Sequence, residues 1–354
     1  MPDPRLIPEF RVARPARPLT SRWSELPVEP RGGTLLGFSF RPLQARALGL
    51  DPVQTLGTLL AYPCHIVRLA AYWNQIESGP GVFDPAELDR QIDAAERAGK
   101  QIIVCVGAVK SFGYPEFFVP SHHLAEPLKE GSLVRPHERR ALLDAATAFI
   151  GRLVARYAGR EAIVAWQVEH EAADPLGMEH SWRLSGEFAQ AEVEALRAAD
   201  PARPVVMNGF LATSLAVRLQ QRWRTRDQGD SMAVAQRYAD IVGIDFYPRH
   251  ALASAGPVSF YLNGSASLGQ RRHRAALGRW ARETGRKLMI AEGQAEPWEA
   301  VTTPPDPRGG AMYSCLPEHV ISNYNQCLDG GRTPGLWAYL FWGAEYWVLR
   351  DRHG

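Results

Sequence analysis

Short apolar runs alternate with longer segments in which apolar residues return every three or four positions. The runs are Leu35–Phe40, His65–Ala71, Gln101–Val106, Ala162–Val168, Pro204–Asn208, Asp240–Tyr247, Lys287–Glu292 and Gly335–Trp342. Runs of this length that end abruptly in charged or turn residues predict strands buried on both faces, the kind a parallel sheet requires. Helical spacing lies between them. Asp51-Pro52 opens a helix bearing Leu56, Leu59 and Leu60, with Asp as N-cap and Pro in the first turn. Asp84 to Glu87 reads as an acidic capping box for a helix that Gly99 stops. Leu143, Ala146, Ile150 and Val154 mark one face of a helix over about 136–157. Further helices are expected near 185–198, in the basic stretch up to Tyr238, near 268–284, and over 318–328 with a stop at Gly330-Gly331.

Eight strands alternating with helices predict βα units closing into a (β/α)8 TIM barrel over residues 34–354. Residues 1–33, rich in Pro and Arg, read as an extension. The chain ends soon after strand eight, so the last helix is expected to be short or missing, with the extension covering the gap. A Gly/Ser loop is expected after strand six. The stretches 107–135 and 293–317 read as long loops, which in compact domains are usually functional.

Composition changes the picture little. The 354 residues are 45% hydrophobic and 22% charged, and the net charge of +2 offers no electrostatic case for nucleic acid or membrane binding. Cys64, Cys105, Cys315 and Cys327 form no CxxC pair and are expected to be reduced thiols in or near the core. The N-terminal stretch lacks the apolar centre of a secretory signal, and no run suits a bilayer, so a cytoplasmic location is expected.

The chemistry gathers at strand ends, where barrel enzymes place it. Strand four runs into Glu169-His170-Glu171 and strand seven ends in Glu292. Two carboxyl groups across a barrel mouth suit glycoside hydrolysis, one donating a proton to the leaving oxygen and one attacking as an anion; a gap of about 5–5.5 Å would imply retention. Singly, either glutamate is more simply a salt-bridge or helix-terminus group. Glu169, adjacent to His170, points to the other side of the strand from it and is the weaker acid/base candidate.

Trp166-Gln-Val-Glu-His-Glu171 resembles the strand-four motif of the clan A glycoside hydrolases. Ala291-Glu-Gly-Gln-Ala-Glu-Pro-Trp298 resembles the strand-seven nucleophile motif of a bacterial group in that clan, as do Arg68–Trp73 and Phe341–Trp347 for other parts of the chain. The likeness runs from about Gly37 to Trp347. It implies Glu171 as acid/base, Glu292 as nucleophile, and Arg68 beneath Glu292 keeping it ionised. It also implies Tyr247 hydrogen-bonded to Glu292 and Trp342 as a floor for a sugar ring. Trp73 and Trp298 become candidate walls, and Asn74 and Gln294 candidate substrate contacts. His170 departs from the usual Asn; it can donate the same bond to a sugar hydroxyl, and the departure bears on substrate preference. Each of these residues also has a plainer reading: an arginine paired inside the barrel, or aromatic residues that only pack.

The resemblance therefore implies a retaining O-glycosyl hydrolase acting on a β-linked oligo- or polysaccharide or glycoside, needing no cofactor. A barrel that binds a glycan or protein without catalysis is the alternative, supported by His170. A metal-dependent barrel hydrolase is a further one, but no His-x-His stands near strand one. His170-Glu171-Ala-Ala-Asp174 is not HExxH, and His122-His123, being adjacent, reads as a solvated loop pair, so no metal is expected.

Overall fold

The apolar runs form a closed parallel barrel whose strand order follows the chain from first to eighth. The computed structural model describes residues 25–113, 116–128, 131–174, 182–211, 219, 230–255, 258–263, 268–297, 315–328 and 335–353. The barrel strands are β1 (Leu35–Ser39), β2 (Ile66–Ala70), β3 (Gln101–Cys105), β4 (Ile163–Gln167), β5 (Val205–Phe210), β6 (Ile241–Phe246), β7 (Lys287–Gln294) and β8 (Ala338–Trp342). Each lies inside or within two residues of its expected run.

By compactness the chain forms two units. One takes 65–210 and 219–244, hence β2 to β5 and most of β6. Its ladders pair Arg68 with Ile103 and Gln167 with Val206. The other takes 1–64, 211–218 and 245–354, and pairs Leu36 with Tyr339 and Gln294 with Trp342. Strands β2 and β6 are buried at every position, as a parallel strand covered on both faces must be.

Helices follow as α1 (Pro42–Ala47), α2 (Pro52–Ala61), α3 (Trp73–Ile76), α4 (Ala86–Arg97), α5 (Arg140–Tyr157), α6 (Gly186–Ala199), α7 (Ser231–Tyr238), α8 (Leu268–Thr284), α9 (Pro317–Leu328) and α10 (Ala344–His353). Asp51 caps α2, its side chain accepting the Gln54 N–H. Gly99 holds φ +67° just beyond α4, a left-handed stop that suits glycine.

Two expectations need correcting. Asp84 does not cap α4 at a distance of three residues; it accepts the Ala86 N–H at 3.0 Å and Pro85 takes the cap position, because proline's fixed φ already starts the turn. The stretch after strand six is no plain loop: Arg249–Ala255 and Val258–Asn263 pair antiparallel as a hairpin, for which Gly256-Pro257 is a turn signal in the sequence. The last helix, expected to be short or missing, is α10, ten residues long. Residues 1–24, most of the expected extension, and 329–334, with the Gly330-Gly331 stop, lie outside the described residues. All four cysteines are free thiols; three are buried and Cys64 is partly exposed.

Candidate active site

At the end of β4 the chain turns sharply. Glu169 (φ 56°) and Glu171 (φ 44°) are the two non-glycine residues with positive φ among the described residues. Left-handed backbone costs an L-residue about 1–2 kcal/mol and persists where its surroundings over-determine it. The surroundings do so here. The Glu169 carboxylate accepts the N–H groups of Val109 (2.9 Å) and Lys110 (2.6 Å). The His170 N–H donates to the Lys110 carbonyl, and the Lys110 ammonium donates to the carbonyls of Glu171 (2.6 Å) and Asp174 (2.9 Å). Ser231, opening α7, accepts the N–H groups of Ala173 and Asp174, each at 2.9 Å. A Cβ on Gly107 would lie 2.0 Å from the Glu169 nitrogen, so only glycine lets the two backbones approach this closely.

The Glu169 carboxylate is thereby held by the backbone of the loop after β3. It is buried beside Glu192 of α6, which is fully buried too. Burial pushes the Glu192 carboxyl well above its usual range, reinforced by the charge of Glu169. Burial also raises Glu169, against the hydrogen bonds that Glu192 and the Val109 and Lys110 amides supply. Two buried carboxyl groups so placed disfavour each other's charge.

A side-chain relay joins several predicted residues in this unit. Arg68, fully buried, donates to Gln167 Oε1 at 3.1 Å and lies over the Phe112 ring. Gln167 Nε2 donates to Asn208 Oδ1 at 3.0 Å, and the Glu171 N–H approaches that same oxygen at 3.4 Å. Glu171 and His170 are buried side chains, with His170 Nδ1 3.8 Å from Glu116 Oε2. Asn74 is exposed on α3, its N–H donating to the Phe118 carbonyl.

Trp73 is corrected. It is fully buried, stacked by Phe149 on centroids 5.4 Å apart and by His123 at 4.8 Å, with its indole N–H donated to Glu77. Both faces are covered, so it packs and presents no wall to a sugar.

In the other unit, the β7–β8 ladder changes register between Ile290 and Gly293, the interval that holds Glu292. Such irregularities re-aim side chains next to active sites. Glu292 is buried and accepts the Tyr247 hydroxyl at 2.6 Å, the bond expected from the resemblance. Gln294 is buried, and neither of its amide side-chain atoms has a partner among the described residues. Trp298 lies outside them.

Trp342 rests on an ion cluster. Arg41, fully buried just after β1, places its guanidinium 4.3 Å from the Trp342 ring centre. It forks onto both oxygens of Glu296, each at 2.8 Å, and reaches Glu345 at 2.9 Å. The Arg41 N–H also donates to Glu345. Burial pushes the Glu345 carboxyl up, against the pull of Arg41. Gly343 has φ +99° and packs on Glu296, where a Cβ would lie 2.3 Å from the Glu296 Cβ.

No protein-family model matches the chain, and no curated protein matches it either. Solved structures do. A GH5_18 variant from Streptomyces cattleya in complex with Manb1-4GlcNAc is 17% identical, with a TM-score of 0.55 over 88% of this chain and 70% of its own. Native xylanase 10B from Thermotoga maritima is 15% identical, with a TM-score of 0.55 over 88% and 83%. Xylanase 10B from Thermotoga petrophila RKU-1, in complex with xylobiose, is 13% identical, with a TM-score of 0.52 over 88% and 82%. What the chain shares with these structures is the closed eight-stranded (β/α)8 barrel. At such identities the likeness is one of fold.

Residues that escaped the sequence reading are Lys110, Asn208, Ser231, Arg41 and Glu345. All five are polar, buried and close to the strand ends. The one signal was a lone lysine in the otherwise apolar and small Gly107–Gly113 stretch. No helix among the described residues is long and apolar enough to cross a membrane.

Proposed function

We propose that the protein is a retaining glycoside hydrolase acting on β-linked sugars, with Glu292 as nucleophile and Glu171 as acid/base. The observation that carries this reading is the 2.6 Å hydrogen bond from Tyr247 to Glu292 at the carboxyl end of β7. A hydroxyl donating to one oxygen favours the charged form of the carboxylate and leaves the other oxygen to attack. The held left-handed turn at Glu171 supports the second role, since strain of this kind clusters at active sites. The sugars in the similar structures, Manb1-4GlcNAc and xylobiose, support a carbohydrate substrate.

In the first step a Glu292 oxygen bonds to the anomeric carbon as the bond to the leaving oxygen breaks, and Glu171 gives that oxygen its proton. In the second, Glu171 takes a proton from water, which displaces Glu292. Arg68 supports the charge of Glu292, Trp342 is the floor for the sugar ring, and His170, Gln294 and Asn74 are its polar contacts. Trp298 remains a candidate wall.

The test is a panel of nitrophenyl β-glycosides and β-linked polysaccharides, with Glu171→Gln and Glu292→Gln beside the parent. Full turnover is expected from the parent alone, with Glu292→Gln inactive and Glu171→Gln slower by about 100- to 10,000-fold. The first-formed anomer, followed by NMR, should keep the substrate's configuration. Undiminished turnover in both variants, or an inverted product, overturns the assignment. Sugar binding with no product from the parent would instead make it a binding barrel.

A further inference from the structure

We propose that Glu77, His122 and His123 form a binding site for a zinc-like divalent transition metal. An ion there would clamp the loop after β3 onto the segment that follows α3. All three residues belong to the unit that carries β2 and β3. The proposal stands whether or not Glu171 and Glu292 cleave sugars, and it revises the reading of His122-His123 as a solvated pair.

Each residue offers a ligand atom, and the three atoms lie within 4.8 Å of one another. His123 Nε2 is 3.0 Å from Glu77 Oε2. Tetrahedral zinc, with bonds of about 2.0–2.1 Å, holds its ligand atoms about 3.3 Å apart. That pair therefore already stands near chelating distance. The tight turn Ser121–His123 keeps the adjacent imidazoles together, their ring centres 4.2 Å apart. His122 is exposed, so its ring can rotate to close the set and solvent can deliver the ion.

The supporting contacts are those that a ligand set uses. Trp73 donates its indole N–H to Glu77 Oε2 at 2.7 Å, orienting the carboxylate and leaving it a lone pair. The same indole stacks on His123 at 27° between ring planes, which fixes the ring. Arg152 approaches the other oxygen, Oε1, at 3.4 Å while lying over Phe83. It lowers the charge of the site without taking the ligand oxygen. Two imidazoles and one carboxylate suit zinc, copper or nickel in preference to calcium or magnesium, which require an oxygen shell.

Isothermal titration of the tag-free full chain with Zn2+, and separately with Ca2+, tests the proposal. The expected result is one zinc per chain and no calcium at the same concentration. His122→Ala and Glu77→Gln are each expected to weaken zinc binding by about tenfold or more. His123 is left in place because it packs on Trp73. Arg152→Ala is expected to tighten binding, a gain that damage to the fold would not produce. Zinc should raise the Tm of the parent and not of His122→Ala. Absence of zinc binding by the parent overturns the proposal, since Glu77 and His123 are then only an ion pair. So does binding that His122→Ala and Glu77→Gln leave unchanged, since the ion would then lie elsewhere.

Discussion

At the end of β4 the backbone is contorted and almost every restraining hydrogen bond involves main-chain atoms. At the ends of β7 and β8 the restraint is a guanidinium gripping two carboxylates, and the positive φ values fall on glycine. The two strand ends thus fix acidic side chains by different physics. The β4 turn depends on the shape of the chain, and its donors and acceptors would each be stranded if the turn relaxed. The β7–β8 end depends on charge balance, because a buried carboxylate is tolerable only while its cation remains.

The largest effect should come from upsetting that balance. Arg41→Met leaves Glu296 and Glu345 buried without their cation, and is expected to cost about 3–5 kcal/mol in urea unfolding. Replacing all three residues with apolar side chains of similar volume should recover most of the loss. If Arg41→Met is neutral, the cluster is not what holds this end.

Next comes Tyr247→Phe, which removes a hydrogen bond to a charged group worth about 1.5–3 kcal/mol, or roughly 10- to 100-fold. On the proposed mechanism the loss appears in kcat for the first step, and stability changes little. A variant with full activity would remove Tyr247 from the mechanism.

The β4 end offers the opposite sign. Glu171→Gly should abolish turnover yet stabilise the fold by about 1 kcal/mol, because glycine accepts the left-handed backbone that glutamate occupies under strain. A loss of stability would mean that the Glu171 side chain itself holds the turn.

The smallest effect concerns Glu192, whose carboxyl is raised well above its usual range by burial and by Glu169. In the unfolded chain it ionises at the ordinary value, so between that value and the raised one the unfolded state holds fewer protons. Stability contributed by the protonated group is therefore full at acid pH and falls as pH rises through the raised range. Glu192→Gln should flatten that fall, read as ΔG of unfolding against pH, with its neighbours Glu169 and Cys105 unchanged.

The comparison also explains what could be read from sequence. The strands were legible because burial on both faces writes a continuous apolar run, and the terminal glutamates were legible because charge stops that run. Tyr247 and Glu292 were paired only through resemblance to a family. The supports were hidden because their contacts are remote: Arg41 and Glu345 stand 304 positions apart, and Lys110 reaches across 61 positions to Glu171. No local pattern encodes such a pairing. The left-handed turn was equally silent, since Glu169 and Glu171 lack the glycine that usually announces one. Trp73 was misjudged because a tryptophan after a strand reads alike whether its faces are bare or covered.

Anyone reshaping the loop beyond β3 for a new substrate inherits one immovable position. Randomising codon 107 would supply every other amino acid with a carbon atom inside its neighbour's peptide bond, so diversity there should yield misfolded clones in place of new specificities, and the library is better spent a few codons downstream.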